Sequence, residues 1–156
     1  KRHQCDANCF AKEERAKEVF DYAEEMEIIS KFKWIDRIEN VKMAGLYSIL
    51  SKRGGLSLVT SHCESFGMSV LESLLAGSPT VCTNVGALPE ITPERDFFKL
   101  YELQDYESAA KKCIEVMSNF KVAGDLLSQH RTELVDQYDS SRRSIEYWGI
   151  LQNMVK

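Results

Sequence analysis

Apolar positions along the chain recur in two periods, and these predict its elements in order. From Phe10 to Met26 the apolar residues Phe10, Ala16, Val19, Phe20, Ala23 and Met26 recur near helical spacing within a charged background, which predicts a surface helix. Ile28 to Trp34 opens β-branched and predicts a short strand, and Val41 to Leu50 predicts a second helix ending before Gly54-Gly55. Gly55 to Thr60 is a short run bounded by glycine and polar residues, as in a buried parallel strand. The next helix spans Met68 to Ala76. Met68, Val70, Leu71, Leu74 and Leu75 gather on one face, and Ser69, Glu72, Ser73 and Ala76 on the other. Gly77-Ser78-Pro79 stops it, Thr80 to Thr83 predicts a strand, and Gly86 to Pro89 a loop. Phe97 to Tyr101 predicts a last strand, and Tyr106–Phe120, Val122–Tyr138 and Ser141–Val155 predict three closing helices. Strands alternating with helices through the middle of a chain build a parallel sheet with helices on both faces. The expected fold is therefore α/β, a Rossmann-like doubly wound sheet.

Composition narrows the function classes. The 156 residues are 44% hydrophobic and 28% charged, an ordinary globular balance, and the expected organisation is one domain over residues 1–156. With 20 basic and 24 acidic residues the net charge is -4, so nothing marks nucleic acid as a partner. No apolar run approaches the roughly 20 residues of a membrane span, and the start Lys1-Arg2-His3 lacks the apolar segment of a signal peptide. A cytoplasmic location is the expectation. The five cysteines (Cys5, Cys9, Cys63, Cys82, Cys113) are odd in number and scattered, which favours reduced thiols. His3, Cys5 and Cys9 lack a fourth ligand at structural-zinc spacing, so no metal is assigned.

The chemistry concentrates in Glu64-Ser65-Phe66-Gly67-Met68, between a predicted strand and a predicted helix, with Glu72 following in that helix. Ligands of open α/β sheets bind beyond the carboxyl ends of the strands. A helix beginning there presents unpaired amides and a positive dipole end to a phosphate. Glu64 and Glu72 would accept bonds from sugar hydroxyls flanking that phosphate. The competing reading is structural: Ser61-His62-Cys63-Glu64 and Ser69-Val70-Leu71-Glu72 both match the S-x-x-E capping box.

The combination of residues tips the balance. Two glutamates separated by seven residues, preceded by Ser61 and followed by Ala76-Gly77-Ser78-Pro79 and Gly86-Ala87-Leu88-Pro89-Glu90, resemble the C-terminal, nucleotide-sugar-binding domain of group 1, family 4-type retaining glycosyltransferases of GT-B architecture. The resemblance implies that Glu64 contacts donor-sugar hydroxyls as the catalytic-site carboxylate and that Glu72 binds the ribose. It implies that Ser65 to Ser69 supply amides: those of Phe66, Gly67 and Met68 to the sugar, and those near Met68 and Ser69 to the diphosphate. It further implies a UDP- or GDP-sugar as donor substrate, no cofactor and no obligatory metal, and an acceptor bound by an N-terminal domain absent from these residues. A piece of this kind is expected to bind nucleotide weakly and not to turn over alone, and a cropped sheet edge would allow a dimer. A non-catalytic glycosyltransferase-like module and a nucleotide-sugar epimerase are the alternatives.

Two positions depart from the family pattern. The family's Gly-Arg to Lys-Gly segment, whose basic pair neutralises the leaving diphosphate, has no counterpart, since Lys52-Arg53 precedes the Gly55 strand and reads as a solvated turn. Ala87 stands where a second glycine is common, which touches loop geometry alone. His62 and Cys63 are adjacent and so point in opposite directions along a strand, which makes a catalytic dyad implausible. Tyr101, Tyr106, Tyr138, Tyr147 and Trp148 are expected in core or helix-packing positions, and nothing selects one as a base-stacking platform.

Overall fold

The computed structural model describes residues 7–35 and 37–154. The chain divides into two compact units, Lys1–Ile38 and Glu39–Lys156. The first holds helix α1 (Ala7–Glu25) and a 3-10 turn at Ile29–Lys31. The expected strand at Ile28–Trp34 does not form. Phe32 is extended, but it packs edge-on against Phe20 of α1 with ring centroids 5.5 Å apart, and Trp34 lies 6.1 Å from the same ring. The segment closes an aromatic cluster instead of joining a ladder. The side chains of His3, Cys5 and Cys9 lie outside the described residues.

The second unit runs α2 (Asn40–Lys52), β1 (Ser57–Val59), α3 (Met68–Leu75), β2 (Thr80–Thr83), a 3-10 turn (Leu88–Glu90), β3 (Phe98–Tyr101), α4 (Tyr106–Ser118), α5 (Phe120–Tyr138) and α6 (Ser140–Met154). The fold is α/β, as expected: three parallel strands in the order β1-β2-β3, flanked by helices. Ser57 pairs with Thr80 and Thr80 with Phe98, and all four residues of β2 are buried, as the middle strand of a covered parallel sheet requires. α3 packs on β1 and β2, and α4 on β2 and β3. Val155, the expected end of the last helix, lies outside the described residues.

The core is continuous from α3 through the sheet to α5: Val70, Leu74, Leu88, Ile91, Phe97, Phe98, Leu127 and Leu134 are all but sealed from solvent. Each such side chain contributes about 1.5–3 kcal/mol by leaving water. Ala123, Leu127 and Leu134 place one face of α5 in this core. At its other end the sheet carries hydroxyls. Ser73 of α3 donates to Ser57 Oγ at 2.7 Å and accepts from Thr80 Oγ1 at 3.0 Å, and Ser57 and Ser78 lie 3.3 Å apart. All four residues are buried, and each hydroxyl is satisfied by the others or by nearby carbonyl oxygens.

Helix ends follow local chemistry. α2 and α3 stop in the same way: Gly55 N–H bonds Leu50 O as Gly54 bonds Ser51 O, and Ser78 N–H bonds Ser73 O as Gly77 bonds Leu74 O. Lys52 and Arg53 sit exposed at the first of these stops. Asp105 caps α4 by accepting from Ser108 N at 2.9 Å. Tyr101 is buried and Tyr138 half-buried, but Tyr106, Tyr147 and Trp148 are exposed rather than packed. α6 buries none of its residues, so its aromatic positions face no core.

Candidate functional site

β1 ends at Val59, and the chain from Thr60 to Gly67 crosses the carboxyl ends of β1 and β2 without regular structure. Three bonds tie it down. Thr83 Oγ1 at the end of β2 donates to Ser61 O at 2.6 Å, Ala87 N donates to Glu64 O at 3.0 Å, and Tyr101 OH lies 3.5 Å from Val59 O. Glu64 is thereby fixed through its backbone, and its side chain is half-buried.

Two glycines make this packing feasible. Gly86 has φ +53°, and a Cβ there would stand 1.9 Å from the carbonyl oxygen of Glu64. Any side chain would displace the Glu64 backbone. Gly67 has φ 87° and ψ 39°, a left-handed conformation that turns the chain into α3 as its N-cap. A Cβ on it would meet Leu88 Cδ2 at 2.6 Å and Ile91 Cδ1 at 2.7 Å, so the 3-10 turn forms a floor beneath the loop. Ala87, by contrast, has φ -82°, which any residue adopts, and its divergence from the family pattern leaves the loop unstrained.

Neither capping box forms. With Gly67 as N-cap, Ser69 is the second residue of α3 and Glu72 the fifth, and no helix begins after Ser61. No side chain caps the start of α3. Its first intrahelical bond runs from Leu71 N to Gly67 O, so the amides of Met68, Ser69 and Val70 have no intrahelical acceptor. Around that helix start, Ser65, Phe66, Met68 and Ser69 are exposed and Gly67 is buried. Glu72 is exposed one turn further along, and its carboxylate makes no hydrogen bond or ion pair among the described residues. The structure thus places Glu64 and the Phe66-Gly67-Met68 backbone beyond the carboxyl ends of the strands, with Glu72 one turn further along α3.

Glu72 also lines a cavity of about 440 Å³ between α2 and α3, with Asn40, Met43, Ala44, Ser48, Leu75, Ala76 and Arg131. Its charge reaches Tyr47 on α2, whose hydroxyl is pushed above the usual tyrosine range first by burial and then by Glu72. Arg131, on α5, brings a guanidinium to the same cavity. Sequence reading passes over it, because its place on an exposed face of a long helix carries no local signature. His62 and Cys63 are exposed in the loop after β1. Among the described residues the buried thiol is Cys82, pushed up to about 12 by burial and then by the charge of Glu94.

A parallel α/β sheet with an uncapped helix start beyond its strand ends is an arrangement in which backbone amides face outward from the sheet edge. The chain belongs to the family of group 1 glycosyl transferases, matching it over residues 8–131. Among proteins of known activity it is similar to an N-acetyl-alpha-D-glucosaminyl L-malate synthase of Bacillus anthracis, 27% identical over 101 residues that make up 65% of this chain and 26% of that protein. It also resembles a 2-deoxystreptamine N-acetyl-D-glucosaminyltransferase of Niallia circulans, 31% identical over 83 residues, 53% of this chain and 21% of the other. Sucrose synthase 6 of Arabidopsis thaliana is 34% identical over 86 residues, 51% of this chain and 9% of its own length. In each case the aligned segment spans about a quarter or less of the relative. Among the described residues, no helix is long and apolar enough to cross a membrane.

Proposed function

We propose that this chain is the nucleotide-sugar-binding, C-terminal domain of a retaining glycosyltransferase of GT-B architecture, with its donor site where the β1–α3 loop meets the first turn of α3. Glu64 reaches the hydroxyls of the donor sugar, and Glu72 the ribose hydroxyls of a UDP- or GDP-linked donor. The amides of Phe66, Gly67 and Met68 border the sugar, and those of Met68 and Ser69 face the diphosphate. Cleaving the glycosyl-phosphate bond builds negative charge on the departing diphosphate. Amides already aimed at that place stabilise it as it forms, without reorganising. Glu64 positions the sugar and is not assigned as a nucleophile. The acceptor belongs to a separate N-terminal domain.

The observation that carries this reading is the release of both glutamates from capping: Gly67 takes the N-cap, and Glu64 and Glu72 bracket a helix start with free amides. Arg131 lines the same cavity as Glu72 and is the cation this reading offers near the nucleotide, where the family's basic pair has no counterpart in this sequence. The relatives' names speak of N-acetylglucosaminyl groups and of sucrose, which supports sugar transfer as the chemistry and selects no particular donor. Calorimetric titration with UDP, GDP and ADP and with their sugars tests it. The expected result is binding by the parent and its loss in Glu72→Ala. Equal binding by Glu72→Ala, or silence with every nucleotide, rejects the site.

A further inference from the structure

We propose that Tyr138, the last residue of α5, is a positioning residue for the donor loop, its ring holding Phe66 and its hydroxyl holding Ile91 on either side of Gly67. The inference rests on the donor-site reading above and extends it to a residue far along the chain.

Phe66 stands out from the loop, 47% exposed, yet its ring meets Tyr138 edge-on, with centroids 5.9 Å apart and planes at 86°. That is a favoured geometry for two aromatic quadrupoles. The Tyr138 hydroxyl donates to the carbonyl of Ile91 at 3.1 Å. Ile91 is half of the floor under Gly67, its Cδ1 lying 2.7 Å from where a Cβ on that glycine would stand. One side chain therefore fixes the residue before Gly67 and the residue beneath it. A phenol is protonated at neutral pH in any case, and burial pushes this one further above its usual range.

α5 does not need Tyr138 to stay in place. Ala123, Leu127 and Leu134 anchor it in the core, and His130 Nε2 lies 3.1 Å from Thr92 Oγ1, a second tie to the segment after the 3-10 turn. Losing the Tyr138 ring therefore frees the loop rather than the helix. The cost falls first on ligand groups that the Phe66 and Gly67 amides, next to the Tyr138 contacts, hold, which in the proposed site are those of the sugar alone. Ribose binding at Glu72 is spared, so affinity for a nucleotide-sugar drops while affinity for the bare nucleotide holds.

Titrations of the full chain with UDP-glucose against UDP, and GDP-mannose against GDP, test this for the parent, Tyr138→Leu, Tyr138→Phe, Phe66→Leu and the double variant Tyr138→Leu/Phe66→Leu. For the pair the parent binds, Tyr138→Leu is expected to weaken the nucleotide-sugar by about three- to tenfold and the bare nucleotide by less than about twofold. Tyr138→Phe keeps the edge-on ring but loses the bond to Ile91, so its affinity for the nucleotide-sugar falls between those of the parent and Tyr138→Leu. The double variant binds no more weakly than Tyr138→Leu alone, because that change already removes the ring pair. Additive losses, or equal losses for nucleotide and nucleotide-sugar, overturn the positioning role while the donor site stands. A parent that binds neither pair removes the donor site and the role of Tyr138 with it.

Discussion

Gly86 lies directly against the backbone of Glu64, with room for a hydrogen and nothing larger: a Cβ would sit 1.9 Å from the Glu64 carbonyl oxygen and 2.9 Å from its carbonyl carbon. Both contacts are to backbone, which cannot swing aside as a side chain can. Gly86→Ala is expected to cost about 1–3 kcal/mol in denaturant unfolding and to abolish nucleotide-sugar binding, because the loop must lift and carry Glu64 with it.

At Gly67 the obstruction comes from the ends of two side chains, Leu88 and Ile91, which have some freedom to repack. Gly67→Ala must still hold φ 87°. The expected outcome is a smaller loss of stability than for Gly86→Ala, with the helix start displaced. Comparing the two variants by thermal melting and by titration with UDP-sugar checks the order.

Glu72 separates structure from binding. It caps nothing and pairs with nothing among the described residues, so Glu72→Gln should leave stability within about 0.5 kcal/mol of the parent. Asp105→Ala, which removes a real cap from α4, should cost about 1 kcal/mol and leave nucleotide affinity unchanged. Parallel denaturant titrations check both. A destabilised Glu72→Gln would return that residue to a structural role.

The contrast shows how far the sequence could be read. The strand at Thr80–Thr83 and the existence of a helix from Met68 were legible from their apolar runs, but its faces were not: Ser73, expected on the polar face, is buried by its hydroxyl partners, and Met68, expected on the apolar face, is exposed. The Glu64 to Glu72 spacing pointed to the proposed site, but not to whether the glutamates cap helices. That was decided by Gly67 taking the N-cap in a left-handed conformation, a choice two candidate boxes hid. Ile28–Trp34 misled because it opens with β-branched residues, yet a strand needs a neighbour, and the rings of Phe32 and Trp34 found Phe20 instead. Arg131 and Tyr138 reach the site from α5 across a long sequence interval, and no local pattern reports such meetings.

Glu94 gives the fold an acid limit. Burial opposes its charge, but bonds from Leu100 N and Lys112 Nζ, with the charges of Lys112 and Lys99, outweigh that and hold its carboxyl below the usual value of 4.5. A depressed carboxyl contributes stability above its unfolded value and loses it as pH falls through the lower folded one. Melting temperatures taken from pH 6 down to about 3 should therefore fall more steeply below about pH 4.5 in the parent than in Glu94→Gln.

Thiol chemistry should divide by position. Cys82, buried on β2 with its thiol pushed up to about 12, is expected to stay unmodified at pH 8 in the native protein. Cys63, exposed in the loop after β1, should react readily. Alkylation followed by peptide mapping, with and without denaturant, reads both. Native labelling of Cys82 would mean that the central strand opens.

The four hydroxyls of Ser57, Ser73, Ser78 and Thr80 touch no ligand in the proposed site, yet they act on it as a key acts on a shaft. Ser73 is the residue after Glu72, and neighbours on a helix point about 100° apart. Turning α3 by one residue would push the carboxylate toward the sheet and strip Ser73 of its partners. The azimuth of Glu72 is thus set from beneath. An alanine at Ser73 could leave the helix intact and still let the carboxylate drift away from its target.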